Sequence, residues 1–195
     1  QNQIERMGNN IYIEGAMIKA GGITVNNSYE FVKLNTTSNA LPADTSTLLG
    51  TEFTSTGSDG IKFEVLQVVA ATGSDPDTLY VRYTYTKDAT AGEGTLRAPN
   101  NTNITNGSVT LTTAASDATG VGIVVNIQNG IFYAKGHFVF TEDQSLIVSK
   151  YSDTFTGDVG FKVIEDVVTS DDDTSLFDNQ GAVPNTASPG ADRFR

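Results

Sequence analysis

Short segments in which apolar and polar residues alternate are the feature of this chain that most restricts its fold. In the segment 79–86, Leu79, Val81 and Tyr83 fall on one side of an extended chain. The segment 61–69 alternates in the same way, and a polar loop over 72–77 separates the two. Because a period of two residues is typical of strands with one buried side, the pair predicts an antiparallel hairpin.

Further alternating segments predict more strands. Over 159–168, the apolar residues Val159, Phe161, Val163 and Val167 share one side, and we expect a strand there. Asn26–Ser28 and the dipeptide Asn129-Gly130 each lie between two apolar runs, so both predict hairpin turns. Gly136 predicts a bulge, or a close approach by a bulky side chain. The remaining predicted strands cover 11–18, 23–25, 29–34, 109–112, 123–127, 131–140 and 146–148.

No segment sustains the apolar spacing of three and four residues that an amphipathic helix needs. We therefore predict an all-β fold, an antiparallel β-sandwich-like domain or domains with long loops and an extended C-terminal connector. The segment 63–69 resembles 161–167, which suggests two diverged halves, although any two amphipathic strands look alike. The predicted division is an N-terminal connector over 1–9, a first half over 10–90, a loop-rich linker with a short strand over 91–121, a second half over 122–180 and a connector over 181–195.

Composition excludes several classes of function. The chain has 23 acidic and 12 basic side chains, a net charge of −11, so it repels phosphate groups and we expect neither nucleic-acid binding nor docking on anionic membranes. It has no cysteine, which rules out disulfides and thiol catalysis, and it has no run of eighteen apolar residues. Because it starts at Gln1, we expect a processed product or a piece of a longer polypeptide.

The acidic run Asp171, Asp172 and Asp173 is a candidate site for a hard cation, because carboxylate oxygens are the ligands such ions prefer. The run lacks the alternating spacing of a calcium loop. The alternative is a solvated turn whose acids cap a short helix that begins near Ser170 and carries Leu176 and Phe177.

Tyr80, Arg82 and Tyr85 are candidate residues for a sugar-binding platform, since aromatic rings can stack on sugars. Alternation divides these residues between two sides of a strand, so the alternative is that some of the rings pack into a β core. The single histidine, His137, accompanies no Gly-x-Ser-x-Gly motif that would suggest a catalytic triad. We therefore predict no catalytic residue, no cofactor and no enzymatic activity.

The C-terminal third resembles a family of known proteins. The residues that carry the likeness lie in 130–139, 151–152, 159–165, 172–179 and 187–194, and they include a Gly-Phe-x-Val-x-Glu strand and a Pro-Gly-Ala-Asp-Arg ending. They resemble a domain-of-unknown-function family found in virion proteins of tailed bacteriophages, especially contractile-tailed phages and cyanophages. The resemblance covers about residues 120–195 well and residues 10–90 more loosely.

This resemblance implies a structural protein of a phage tail, either a tail-fibre segment or a module that attaches a fibre to the baseplate. It implies self-association, usually as a homotrimer, contacts with other tail or baseplate proteins, and assembly in the bacterial cytoplasm. It brings no catalytic residues. The alternative function is a receptor-binding, carbohydrate-binding or depolymerase module of a tail fibre or tailspike.

Overall fold

The structure, a computed structural model, describes residues 2–35, 37, 41–57, 60–86, 97–178, 185–189 and 193–194. It divides into two compact units, 1–157 and 158–195, each described by itself below. This division differs from the predicted one. Strands from 10–90 and from 122–180 pair with one another in the same sheet, so the two predicted halves do not form separate sheets.

One α-helix and a series of mostly short strands make up the described chain. The helix is α1 (Asn2–Ile11). The strands are β1 (Met17–Lys19), β2 (Ile23–Lys33), β3 (Glu52–Ser55), β4 (Lys62–Val69), β5 (Thr78–Tyr85), β6 (Asn103–Thr105), β7 (Thr110–Thr112), β8 (Thr119–Ile127), β9 (Gly130–Ala134), β10 (His137–Thr141), β11 (Gln144–Ser149), β12 (Val167–Val168), β13 (Phe177–Asp178), β14 (Asn185–Pro189) and β15 (Arg193–Phe194). Two 3-10 helices cover Thr45–Leu48 and Thr174–Leu176.

The predicted fold class is confirmed, because the first unit is built from two antiparallel sheets. The main sheet has the strand order β11-β8-β2-β5-β4-β3-β6-β7, and the small sheet has the order β1-β9-β10. The predicted hairpin of β4 and β5 is also confirmed, with Val65 opposite Val81.

The main sheet curls until its last strand returns to β2. Leu34 forms a bridge with Thr113, and the Asn35 N–H donates to the Thr112 carbonyl at 2.9 Å. The curl encloses an apolar core, and the side of β5 predicted to be buried contributes to it. The core consists of Val32, Leu34, Leu48, Phe53, Phe63, Val65, Leu79, Val81, Ala98, Ile104 and Leu111.

The two sheets continue into each other along three strand paths. Ile23 lies opposite Ile127, and four residues further along each strand Lys19 lies opposite Ile131. On the other edge, Gln144 lies opposite Ile127 and Phe140 opposite Ile131, again with an unchanged offset. The residues therefore keep their sides across the break, and the small sheet prolongs three strands of the main one.

The predicted hairpin turn at Asn129-Gly130 is wrong. The chain runs through these residues from β8 into β9, and the hairpin turn lies at Lys135-Gly136, between β9 and β10. Both turn residues have positive φ, 47° and 85°, as a two-residue type I′ turn requires. The Glu14 carboxylate accepts a hydrogen bond from the Lys135 N–H at 2.9 Å and stabilises this unusual conformation of a lysine.

The predicted turn at Asn26–Ser28 is also wrong, because β2 continues through it. A register shift between Asn26 and Tyr29 shows that the residues form a bulge opposite β8. The Asn26 side chain accepts a hydrogen bond from the Ser28 N–H at 2.9 Å. The polar residues therefore satisfy a local distortion of the strand without reversing the chain.

Residues 1–9, predicted as a connector, largely belong to α1. The helix packs on the small sheet at Gly8, where an added Cβ would lie 2.6 Å from the Tyr133 ring. The Tyr133 hydroxyl donates to the Asn9 side chain at 2.7 Å, and the Tyr12 ring centre lies 5.6 Å from that of Tyr133. Tertiary packing at a glycine therefore supports a helix that its few apolar residues did not predict.

In the second unit, the predicted strand over 159–168 is wrong except for Val167–Val168. Val167 and Val168 pair with Phe194 and Arg193, whereas residues 159–166 form no strand. Phe161 and Ile164 are exposed. No described strand pairs with 159–166, so the alternation of this segment does not produce a strand there. The predicted correspondence with 63–69, a real strand, is therefore not reproduced, and β14 and β15 lie inside the predicted connector.

Candidate assembly surface

The predicted sugar-binding residues do not form a common surface. Tyr80 is fully buried, its ring is stacked 4.9 Å from that of Tyr29, and its hydroxyl donates to the Lys150 carbonyl at 3.1 Å. Arg82 is exposed and pairs with Glu64, and the exposed Tyr85 lies at the end of the strand. The buried ring of Tyr80 has no face to offer a ligand.

Tyr80 belongs to an aromatic cluster on the side of the main sheet that faces away from the core. The Phe31 ring centre lies 5.1 Å from that of Tyr151, and the Lys33 ammonium lies 4.1 Å above the Tyr151 ring. Burial raises the pKa of Tyr29 and of Tyr80, which keeps both hydroxyls neutral. The cluster packs residues 150–151 against β2 and β5.

The acidic turn carries the hydrogen bonds of a capped turn. The Asp172 carboxylate accepts from the Thr169 hydroxyl at 2.8 Å and from its N–H at 3.1 Å, which lowers the pKa of Asp172. Asp173 accepts from the Ser175 N–H at 2.9 Å at the start of the 3-10 helix Thr174–Leu176. As in the alternative predicted for the acids, the turn caps one helical turn in which Leu176 is buried. The helical turn begins at Thr174, however, and not near Ser170, and Phe177 belongs to β13.

In the described part of the chain, no group of three or more His, Asp or Glu side chains is placed to hold a metal ion, and Asp171 is exposed beside the turn. The described helices are too short or too polar for any of them to cross a bilayer.

A third feature is a ribbon of three strand paths that leaves the curled sheet, which we call the arm. The arm consists of residues 17–28 and 123–149. None of its residues belongs to the enclosed core, and many of its large apolar side chains are exposed. These exposed residues are Met17, Ile23, Val25, Phe138, Val139, Phe140 and Leu146.

Register places five of these residues on one side of the arm, which we call the apolar side: Ile23, Val25, Phe138, Phe140 and Leu146. Residues that lie opposite each other in paired strands share a side, as do residues two positions apart in one strand. Val25 and Leu146 both lie opposite Val125. Phe138 lies opposite Tyr133, and Phe140 lies opposite Ile131. Along β8 the same alternation leads to Thr119, which lies opposite the core residue Val32. The side that forms the core inside the curled sheet therefore continues along the arm.

The middle strand path of the arm is shielded and its two outer paths are exposed. Ile123, Val125 and Ile127 are buried, whereas Val25 is 66% exposed and Phe140 is 60% exposed. Monomeric proteins seldom expose a continuous apolar surface without using it for an interaction. The sequence had predicted these segments as strands, but the exposure of one apolar side depends on which strands lie beside them, which alternation does not show.

Comparisons of the chain with protein-family models, with curated proteins and with solved structures find no match.

Proposed function

We propose that this chain is a structural module of a tailed-bacteriophage virion, a tail-fibre segment or a fibre-to-baseplate attachment module, that acts by assembling with copies of itself. The observation that carries the proposal is the exposed apolar side of the arm. An apolar surface of this kind costs free energy in water, and burial between subunits removes that cost. The resemblance of residues 120–195 to phage virion proteins supplies the biological setting.

The charge and composition of the chain are consistent with this role. A net charge of −11 keeps single copies soluble before they assemble, although it opposes close approach of several copies. A chain without cysteine needs no oxidation to fold and can therefore assemble in a reducing cytoplasm. We propose a homotrimer, the state that the resemblance implies.

Light scattering after size-exclusion chromatography tests the assembly. We expect a species of three times the 20.7 kDa mass of one chain at micromolar concentration. A folded monomer over the whole concentration range would refute the proposal.

The virion setting has a separate test. Antibodies against this chain should label the tails of purified phage particles that encode it, as seen by electron microscopy. The alternative of a receptor-binding module predicts instead that the chain binds a saccharide and that Arg82→Ala abolishes the binding. The burial of Tyr80 counts against that alternative.

A further inference from the structure

We infer that copies of this chain pack against one another through the apolar side of the arm, around an axis that runs along its strands. This inference rests on the proposed function, because it names the surface and the partner through which the assembly forms. The partner is the same arm of another copy. Three observations lead to it: the exposed area, the continuity with the core, and the charges at the two edges.

The exposed apolar area approaches what one partner of a stable interface buries. The exposed fractions of the five residues of the apolar side run from 45% to 66%. With about 100 Å² of apolar surface for an aliphatic side chain and about 200 Å² for a phenylalanine, they expose about 380 Å². A standard interface takes about 800 Å² from each partner, of which about 450–520 Å² is apolar, so these five residues supply most of that apolar area.

The continuity with the core indicates that the apolar side is built for burial. Along β8, the side that carries Thr119 opposite the core residue Val32 also carries Val121, Ile123, Val125 and Ile127. On β2, Glu30 and the polar bulge at 26–28 interrupt that side, and it becomes apolar again at Val25 and Ile23, which are exposed. A strand exposed to water on both sides does not require this pattern. A second copy placed against the apolar side would cover it as the curled sheet covers the core.

The charges at the two edges fit a copy related by rotation. Lys19 lies on the β1 edge of the arm, opposite Ile131. Glu142 lies on the opposite edge, two residues after Phe140, which is the other residue opposite Ile131. Both charged residues therefore lie on the apolar side, one row of side chains apart. Both are exposed, and neither forms an ion pair with another described residue. Any rotation axis parallel to the strands places the β1 edge of one copy beside the β10 edge of the next at the same height. Lys19 would then meet Glu142 of the neighbouring copy.

The first test removes apolar contacts by substituting exposed residues, which leaves the core of the monomer intact. In the full chain, Val25→Asn and Leu146→Asn should each raise the concentration at which half of the chain is assembled by about tenfold or more, as measured by analytical ultracentrifugation. The matched control is Leu66→Asn, an exposed leucine of β4 away from the arm. It should leave assembly unchanged, and circular dichroism should show that all three variants are folded.

The second test exchanges the charges. Lys19→Glu and Glu142→Lys should each weaken assembly, and the double variant should recover most of the loss, because the pair is restored with its signs reversed. Lys162→Glu alters the net charge by the same amount as Lys19→Glu and serves as the control. Recovery in the double variant would not follow from a general effect of net charge.

The outcomes distinguish this inference from the proposed function. If the unmodified chain is a monomer, the proposed function and the inference both fail. If it assembles and the arm variants assemble equally well, the inference fails and the proposed function stands. The inference also fails if Leu66→Asn dissociates the assembly as strongly as Val25→Asn, or if the charge exchange shows no recovery.

Discussion

Substitution of Gly120 by alanine tests how the base of the arm is held to the curled sheet. Gly120 lies in β8 opposite Phe31, and an added Cβ would lie 2.7 Å from Cζ of that ring and 3.0 Å from Cε1, short of the contact distance of about 3.5–4.0 Å. The Phe31 ring is buried and has ring contacts with Tyr80 and Tyr151, so it has little room to move. Overpacking costs about 1–3 kcal/mol, and replacing a strand glycine returns about 0.5–1 kcal/mol. We expect a net loss of about 1–2 kcal/mol, which lowers Tm by about 2–8 °C.

Urea unfolding followed by circular dichroism measures this loss, at one fixed protein concentration because association would also change the midpoint. Gly57→Ala is the control, since its nearest neighbour would be the Thr102 methyl group at 3.9 Å, and we expect a change of at most about 0.5 kcal/mol. Phe31→Leu should make room for the methyl group that Gly120→Ala adds, so the double variant should be more stable than the sum of the single effects by at least about 0.5 kcal/mol. A wild-type midpoint for Gly120→Ala, or strictly additive effects, would refute the packing argument.

Three further predictions concern other parts of the chain. Gly8→Ala should release α1 from Tyr133, and hydrogen exchange of residues 2–11 should become faster, whereas an unchanged rate would contradict the close contact. The hydrogen bonds from Thr169 lower the pKa of Asp172, so their stabilisation is present above the unfolded value of 3.8 and is lost as the pH falls through the lower folded value. The amide resonance of Thr169 should shift in that acidic range, and Asp172→Asn should abolish the shift. Burial raises the pKa of Tyr83 from 10.0 to about 12, so the folded state loses stability as the pH rises between these values. Absorbance at 295 nm should show late ionisation of the buried tyrosines, with an amplitude that is smaller in Tyr83→Phe.

Local alternation predicted the strands of the first unit well where each strand has two neighbours. The residues Leu79 and Val81 are buried as expected, and β4 and β5 pair across the predicted loop. A strand with a neighbour on each side must turn the same side towards the core as its neighbours do. The apolar side predicted from the sequence of such a strand is therefore the side that is buried in the sheet. The sequence alone therefore predicted the fold class and which residues of β5 are buried in the core.

Alternation does not predict the structure where a segment depends on partners far along the chain. The segment 159–166 alternates as regularly as β4, yet no described strand lies beside it, whereas Lys135-Gly136 forms a hairpin turn without the asparagine that usually marks one. The lysine is held by Glu14, which is remote in sequence. Alternation reports which side chains would share a side in a strand, and it does not report whether a neighbouring strand is present.

For the apolar side of the arm, the sequence predicts the apolar residues but not their exposure. The apolar residues of the arm are visible in the sequence, but an apolar side on a strand ordinarily indicates a buried core. Its exposure follows from the length of the β2–β8–β11 group, which extends beyond the curl formed by the other five strands.

The arm is the part of the first unit that its own core stabilises least. It has three strand paths, of which the middle one is shielded. Besides the strands that continue into the curled sheet, helix α1 contacts it at Tyr133 and Glu14 contacts it at Lys135. A ribbon of three strands needs an apolar side covered by another element to be stable by itself. Ordering of the arm and burial of its apolar side between copies would therefore favour each other. The exposed apolar side lowers the stability of the arm in a single copy, and its burial would couple the folding of the arm to assembly.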